Sequence, residues 1–315
     1  MHRGIKDSQY QYIKGEMYSE IRNIIYIFEK VGKKMEEKYF KPSVTVDSII
    51  FTIRDSQTEN YRKLPEKKLE ILLVKRAKEP FKDKWCLPET LVGEKETLEE
   101  AVNRSLTEKT NIKDIYLEQL YTWGAPERDP RTRVISTSYM GLVDSDNIQV
   151  KAGKSVEDIN WFEVQLKKLK ETNKEKKNGY YKTEEVEILL TNKDTILKSK
   201  VKVVKELVNG NLIIYTQILQ SDLAFDHAKL LIYAIERLKN KVEDTTIAFN
   251  LMPERFTLTQ LQQVYEILLD KPLLKANFRR KIADMVIETD EQEENAGHSP
   301  SKLYKFNNNW QPHIF

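Results

Sequence analysis

The sequence predicts an α/β domain followed by a second, mainly helical domain that ends in a β-hairpin. Three observations carry this. β-Branched apolar runs alternate with one capped amphipathic helix up to residue 164. Three amphipathic segments then follow one another from residue 223. A short returning strand, GHSPSKLYKFN at 297–307, comes after an acidic turn. At 315 residues the chain is long enough for two domains, each with its own core.

Residues 16–38 read as a helix, because Ile21, Ile24, Ile25, Ile27, Phe28 and Val31 recur at helical spacing. SVTVDSIIFTI (43–53) and LEILLVKRA (69–77) read as strands, and so do IYLEQLYTWG (115–124) and VISTSYMGLV (134–143). Between them Thr97 precedes a helix with Glu99 and Glu100 in its first turn. The basic run KKLK…KEKK within 165–178 reads as a solvated linker or a frayed helix end. VEILL, ILKSKVKVVKEL and NLIIYTQIL (186–219) read as a three-stranded antiparallel insertion, with Asn209-Gly210 as a hairpin turn. AFDHAKLLIYAIERLKNKV (224–242) places Ala228, Leu231, Ile232, Ile235 and Leu238 on one helical face. Thr257 caps the next helix, and LLKANFRRKIADMVI (273–287) forms the third. The expected division is 1–40 as an N-terminal helical extension, 41–164 as the α/β domain, 165–222 as linker and insertion, and 223–315 as the C-terminal domain.

Composition narrows the classes. Charged residues make up 32% of the chain but net charge is only +3, so any nucleic-acid surface must be local. A single cysteine, Cys86, excludes an intrachain disulfide and suits a reducing cytosol. No long apolar span or signal peptide is visible, and His2, His227, His298 and His313 show no zinc-like spacing. The reading is a cytoplasmic protein with no membrane partner, no cofactor and no metal.

Residues 87–112 are the most informative stretch. A loop runs from Thr90 to Glu96 and on to Arg104-Ser105-Leu106-Thr107-Glu108-Lys109, ending at Asn111-Ile112. This resembles the Nudix box, in which Gly, five residues, Glu and seven residues precede Arg-Glu-apolar-x-Glu-Glu-x-Gly-apolar. The resemblance implies an α/β/α sandwich with a mixed sheet. Thr90 and Asn111 replace the two glycines, and of the three core carboxylates only Glu108 remains, beside Lys109. Mg²⁺ is held by carboxylates together with substrate phosphates. A lone Glu next to a Lys is a poor site for it, so the frame points to a kept fold and a lost hydrolysis. Glu96, Glu99 and Glu100 could supply substitute ligands, or Glu99 and Glu100 could simply complement the helix dipole. An active Nudix hydrolase of ADP-ribose-like compounds is the alternative.

Three helices and a hairpin are the outline of a winged helix-turn-helix. Its reading helix carries Lys275, Asn277, Arg279, Arg280 and Lys281, with Leu274, Phe278, Ile282 and Met285 as the buried stripe. Arg reads guanine, Asn reads adenine and Lys meets phosphate. Thr257 and Thr259 could meet a phosphate at the preceding helix start, and Ser299, Ser301 and Lys302 could serve the wing. Glu288, Asp290, Glu291, Glu293 and Glu294 turn part of that hairpin away from DNA. With the Nudix-like part, AFDHAKLLIYAIERL, FTLTQLQQVYE, KANFRRKIADM and SKLYKF resemble the Nudix-related transcriptional regulators over 40–164 and 223–306. That family implies a dimeric repressor on operator DNA, often of NAD-metabolism genes, with ADP-ribose or a related nucleotide as effector; some members answer to sugars. Candidate effector contacts are Arg76, Arg128, Arg131, Arg133 and Lys109, whose cations suit a diphosphate. Arg131 or Arg133 could equally pair with Asp129 or a helix acid. Trp85 and Trp123 could stack on a base or be core residues. Arg104 is expected to pair with a Nudix-helix acid and so hold the loop.

Overall fold

The computed structural model describes residues 22, 24, 26, 27, 30, 40–56, 65–145, 150–153, 156–243, 245–293 and 301–311. The chain divides into Met1–Pro42 and Ser43–Phe315. In the first unit Arg22, Ile24, Tyr26, Ile27 and Lys30 are helical; the rest of the helix expected at 16–38 lies outside the described residues.

The second unit is built on one mixed sheet. Its strands are β1 (Ser43–Asp55), β2 (Lys67–Arg76), β3 (Trp85–Cys86), β4 (Glu89–Leu91), β5 (Tyr116–Trp123) and β6 (Val134–Leu142), then β7 (Val156–Lys176), β8 (Gly179–Thr191), β9 (Ile196–Val208) and β10 (Asn211–Ser221). They run in the order β10-β9-β8-β7-β2-β1-β6-β5, with β3 on β2 and β4 on β1. Among the described residues only β1 and β6 pair in parallel, from Ser43↔Val134 to Phe51↔Leu142. The helix α1 (Leu98–Thr110) starts at a capping box of Thr97 and Glu100 and ends at Asn111 with φ 61°, where Asn is the usual substitute for Gly.

Period-2 alternation sends side chains to opposite faces of the sheet, and each face meets helices. Val46, Ile50, Leu72, Val74 and Trp161 pack on Ala101, Val102 and Leu106 of α1. Ile49, Phe51, Ile71, Leu73 and Phe162 pack on Ala228, Leu231, Ile235 and Leu238 of α2 (His227–Val242) and on Leu261 and Val264 of α3 (Leu258–Leu269). The result is an α/β/α sandwich. The apolar face of α2 is the one expected, but it lies against the sheet, so α2 is a layer of this sandwich as well as a neighbour of the C-terminal helices. An apolar stripe says that a face is covered and is silent on what covers it.

The linker expected at 165–178 is strand. β7 crosses from β2 to β8 without a break, and a two-residue turn, Lys177-Asn178, joins it to β8. Its charges are satisfied laterally by β8: Glu171 lies 2.9 Å from Lys182, and Lys168 lies 3.5 Å from Glu184. Cross-strand pairs of opposite charge stabilise a solvated ladder that carries little apolar signal. The expected antiparallel strands are β8, β9 and β10. Asn209 and Gly210 take φ 50° and 84° between β9 and β10, as a type I′ hairpin requires.

C-terminal to α2 come a 3-10 turn (Ile247–Leu251), α3, α4 (Lys275–Ile282) and a hairpin of β11 (Val286–Glu293) and β12 (Ser301–Phe306). The reading helix is shorter than the expected 273–287, because Val286 and Ile287 already pair with Phe306 and Lys305. Of its expected stripe, Phe278 and Ile282 are buried and Met285 half-buried, whereas Leu274 is exposed at the N-cap. Phe256 pairs with Tyr304 by two backbone hydrogen bonds of 3.0 and 2.8 Å, tying the hairpin to the start of α3. Among the described residues no helix is long and apolar enough to cross a membrane.

Candidate effector cleft and DNA-reading helix

The loop before α1 is held by one arginine. Arg104 Nε and Nη2 donate to the two oxygens of Glu96 at 2.7 and 2.9 Å, and Arg104 lies 3.5 Å from Glu108. Glu96 also accepts from the Gly93 amide at 2.8 Å. The fork of Arg104, then this amide, hold the Glu96 carboxyl at a pKa of about 2. The helix acids are also occupied. Glu100 closes the capping box, and Glu99 accepts from the Tyr139 hydroxyl at 3.1 Å. Ser105 is buried. Because the folded pKa of Glu96 is depressed, its contribution to the loop is complete above the ordinary carboxylate range. It is lost as pH falls through about 2. An NMR titration should show that low value in the wild type and a return to the ordinary range in Arg104→Ala.

A cleft of about 630 Å³ opens between this helix and the ends of β1, β2, β4 and β6, and Arg76, Glu89, Glu108, Lys109, Arg128, Asp129, Arg131 and Phe225 are among the residues that line it. Arg76 pairs with Glu89 and donates to the Pro80 carbonyl at 2.8 Å. Lys109 donates to the Glu89 carbonyl oxygen. Arg131 forks onto Asp129 at 3.0 and 2.7 Å, with its side chain 54% exposed, so it both pairs and faces the cleft. Hydrogen bonding to Arg131 holds the Asp129 carboxyl below its ordinary range.

Beneath the cleft lies a buried polar cluster. Arg128 binds Asp226 at 3.2 and 2.9 Å and Asp47 at 3.2 Å. Ser136 donates to Asp47 at 2.6 Å. Burial, against the pull of Arg128, pushes the Asp47 carboxyl above its ordinary range. His227 Nε2 stands 3.6 Å from Asp47 and 3.8 Å from Glu89, and ligand atoms of the three lie within 4.8 Å of one another, a spacing a cation could use. The tautomer speaks against it. His227 Nδ1 accepts from the Leu87 amide at 3.0 Å, which places the proton of a neutral ring on Nε2. Burial lowers the His227 pKa to about 4, so the ring is neutral and Nε2 is a donor with no lone pair for a metal.

Of the expected effector residues, Arg76, Lys109, Arg128 and Arg131 meet at this cleft. Arg133 instead donates to the Ala125 carbonyl at 3.0 Å, bracing its own loop. Trp85 is core, edge-on to Phe162 at 4.8 Å, and Trp123 donates to Ser138 at 2.9 Å beside Tyr121 and Tyr233. Neither tryptophan lines the cleft: Trp85 is buried and Trp123 half-buried. Sequence reasoning missed Asp47, Glu89, Phe225, Asp226 and His227. The one visible signal was a carboxylate, Asp47, the single charged residue of the run 43–53, since a buried charge demands a partner.

On α4, Lys275, Asn277, Arg279, Arg280 and Lys281 are all exposed. Arg280 donates to Asn277 at 3.2 Å, and Lys281 donates to the Glu243 carbonyl. Thr257 must be corrected: it is buried and its hydroxyl accepts from the Gln260 amide at 3.2 Å, which leaves Thr259 as the exposed threonine at the start of α3. On the wing Lys302 pairs with Glu288, and Ser301 is exposed; Glu294 and Ser299 lie outside the described residues.

Residues 51–182 match the NUDIX domain family, and residues 248–306 match the NrtR DNA-binding winged helix domain. An ADPR-responsive transcriptional repressor of Acinetobacter baylyi is 31% identical over 88% of this chain and 86% of its own length. The chain belongs to the NrtR family. A crystal structure of Shewanella oneidensis NrtR complexed with a 27mer DNA superposes with a TM-score of 0.56 at 29% identity, covering 84% of this chain and 93% of that one. An ADP-ribose pyrophosphatase of Methanocaldococcus jannaschii is 33% identical over 44% of this chain and 72% of its own. The NrtR winged-helix match begins after α2, in keeping with the packing of α2 on the sheet.

Proposed function

We propose that this NrtR-family protein is an ADP-ribose-responsive repressor whose Nudix cleft binds the nucleotide without cleaving it. The observation that carries the reading is the cleft's charge. Arg76, Lys109 and Arg131 face one cavity, and Lys109 stands where the Nudix frame needs a metal-binding carboxylate. Guanidinium forks suit the two phosphates of ADP-ribose, and Lys109 supplies a point charge in place of the ion. Of the carboxylates in the cleft, Glu108 lies 3.5 Å from Arg104, Glu89 pairs with Arg76 and Asp129 with Arg131, which leaves little to hold Mg²⁺. The protein acts in the cytoplasm as a homodimer, since paired half-sites one helical turn apart need two reading helices.

Calorimetric titration with ADP-ribose, with and without Mg²⁺, followed by analysis of the recovered ligand, tests this. Metal-independent binding of intact ligand is the expected result. Arg76→Ala with Arg131→Ala should weaken binding by about tenfold or more, as loss of charge-assisted hydrogen bonds does. Similarity to the archaeal pyrophosphatase favours a second reading, hydrolysis. Mg²⁺-dependent cleavage that disappears in Glu108→Gln would establish it.

A further inference from the structure

Helix α2 touches the cleft with one end and the reading helix with the other. At its N-terminal end Phe225 takes φ 52°, a conformation that bulky residues adopt only under constraint. Its ring lies 4.7 Å from the Arg76 guanidinium and 6.0 Å from that of Arg131, two of the cations that line the cleft. The next residue, Asp226, grips Arg128 through both oxygens. At the C-terminal end Lys239 lies 3.4 Å from Asp270 and Glu243 lies 2.6 Å from Lys271, both in the turn that leads to α4. Lys281, on α4 itself, donates to the Glu243 carbonyl. Sixteen helical residues connect these ends, a rigid span of about 24 Å.

We infer that α2 is the coupling element between the two sites, with Phe225-Asp226 as its hinge. The inference rests on the cleft being the effector site. The in-plane N–H groups of both guanidiniums are already engaged, Arg76 with Glu89 and the Pro80 carbonyl and Arg131 with Asp129, so a phosphate must draw them from those partners. Binding a dianion therefore pulls Arg76 and Arg131 away from Phe225. The ring loses the cations that hold its strained backbone, and the hinge relaxes with Asp226 and Arg128. Because α2 is stiff and its far end is tied to Asp270, Lys271 and Lys281, that movement reorients α4. Coupling of this kind requires an element with two arrangements that both ligands bias, and the hinge supplies it.

The test is Asp226→Asn in the full-length protein. It leaves Arg128 with one carboxylate, Asp47, so the buried charges stay balanced. Operator affinity is measured by fluorescence anisotropy with and without saturating ADP-ribose, and ADP-ribose affinity by calorimetry. In the wild type the ratio of the two operator affinities should lie in the range of about 5- to 150-fold that allosteric coupling spans. In the variant it should fall to within about twofold of unity, while ADP-ribose still binds. Amide exchange over 227–242 should change on adding ADP-ribose to the wild type. A variant that keeps the wild-type ratio, or exchange in α2 that ignores the ligand, overturns the inference alone. A wild type that shows no ratio at all overturns the effector reading, and this inference with it.

Discussion

Replacing Arg279 and Arg280 together with alanine should remove operator binding while leaving the fold intact. Both side chains are exposed on α4, whose packing runs through Phe278 and Ile282. Each arginine reaching a base edge or phosphate contributes about 1–3 kcal/mol, so the pair should weaken binding by about thirtyfold or more. Anisotropy at fixed salt measures this, and a plot of affinity against salt should flatten as phosphate contacts are lost. Lys302→Ala should do less, since that lysine already pairs with Glu288. Unchanged operator binding in the double variant would mean that another surface reads the DNA.

Arg128→Met should be the most destabilising single change in the cleft. The side chains of Arg128, Asp47 and Asp226 are 6%, 1% and 9% exposed, so removing the cation strands two buried carboxylates. Breaking a buried ion pair from one side costs about 3–5 kcal/mol. For a domain of this size that corresponds to a melting midpoint lower by about 6–20 °C. The deficit should shrink as pH falls, because Asp47, already raised by burial, protonates and no longer needs the guanidinium. Arg128→Lys keeps the charge but not the fork, and should fall between. Scanning calorimetry across pH decides it: a midpoint within a degree or two of wild type at neutral pH would show that the cluster is not what holds α2 to the sheet.

Local features were legible because their causes are local. The capping boxes at Thr97 and Thr257 are each closed by a residue three positions on, and Asn209-Gly210 makes its turn without outside help. The exposure of Lys275, Arg279 and Arg280 followed from the apolar spacing of Phe278 and Ile282 around them. Where the reading failed, the deciding partner was distant. The 165–178 run looked like a linker until β8 supplied the opposite charges, and Trp85 looked available until Phe162 covered it. Thr257 was read twice, as cap and as phosphate contact, and burial leaves it only the first role.

The sequence by itself determined the order of strands and helices, an altered Nudix frame and a basic reading helix with a wing. Those properties are written in periodicity, caps and charge over a dozen residues at a time. The tertiary structure alone decided which side chains make the cleft and that α2 is shared between the sheet and the C-terminal helices. Arg128 meets Asp47 and Asp226 across 81 and 98 positions of sequence. Pairings over such separations follow from how whole layers close on one another, because burial makes an unpaired charge too costly to leave.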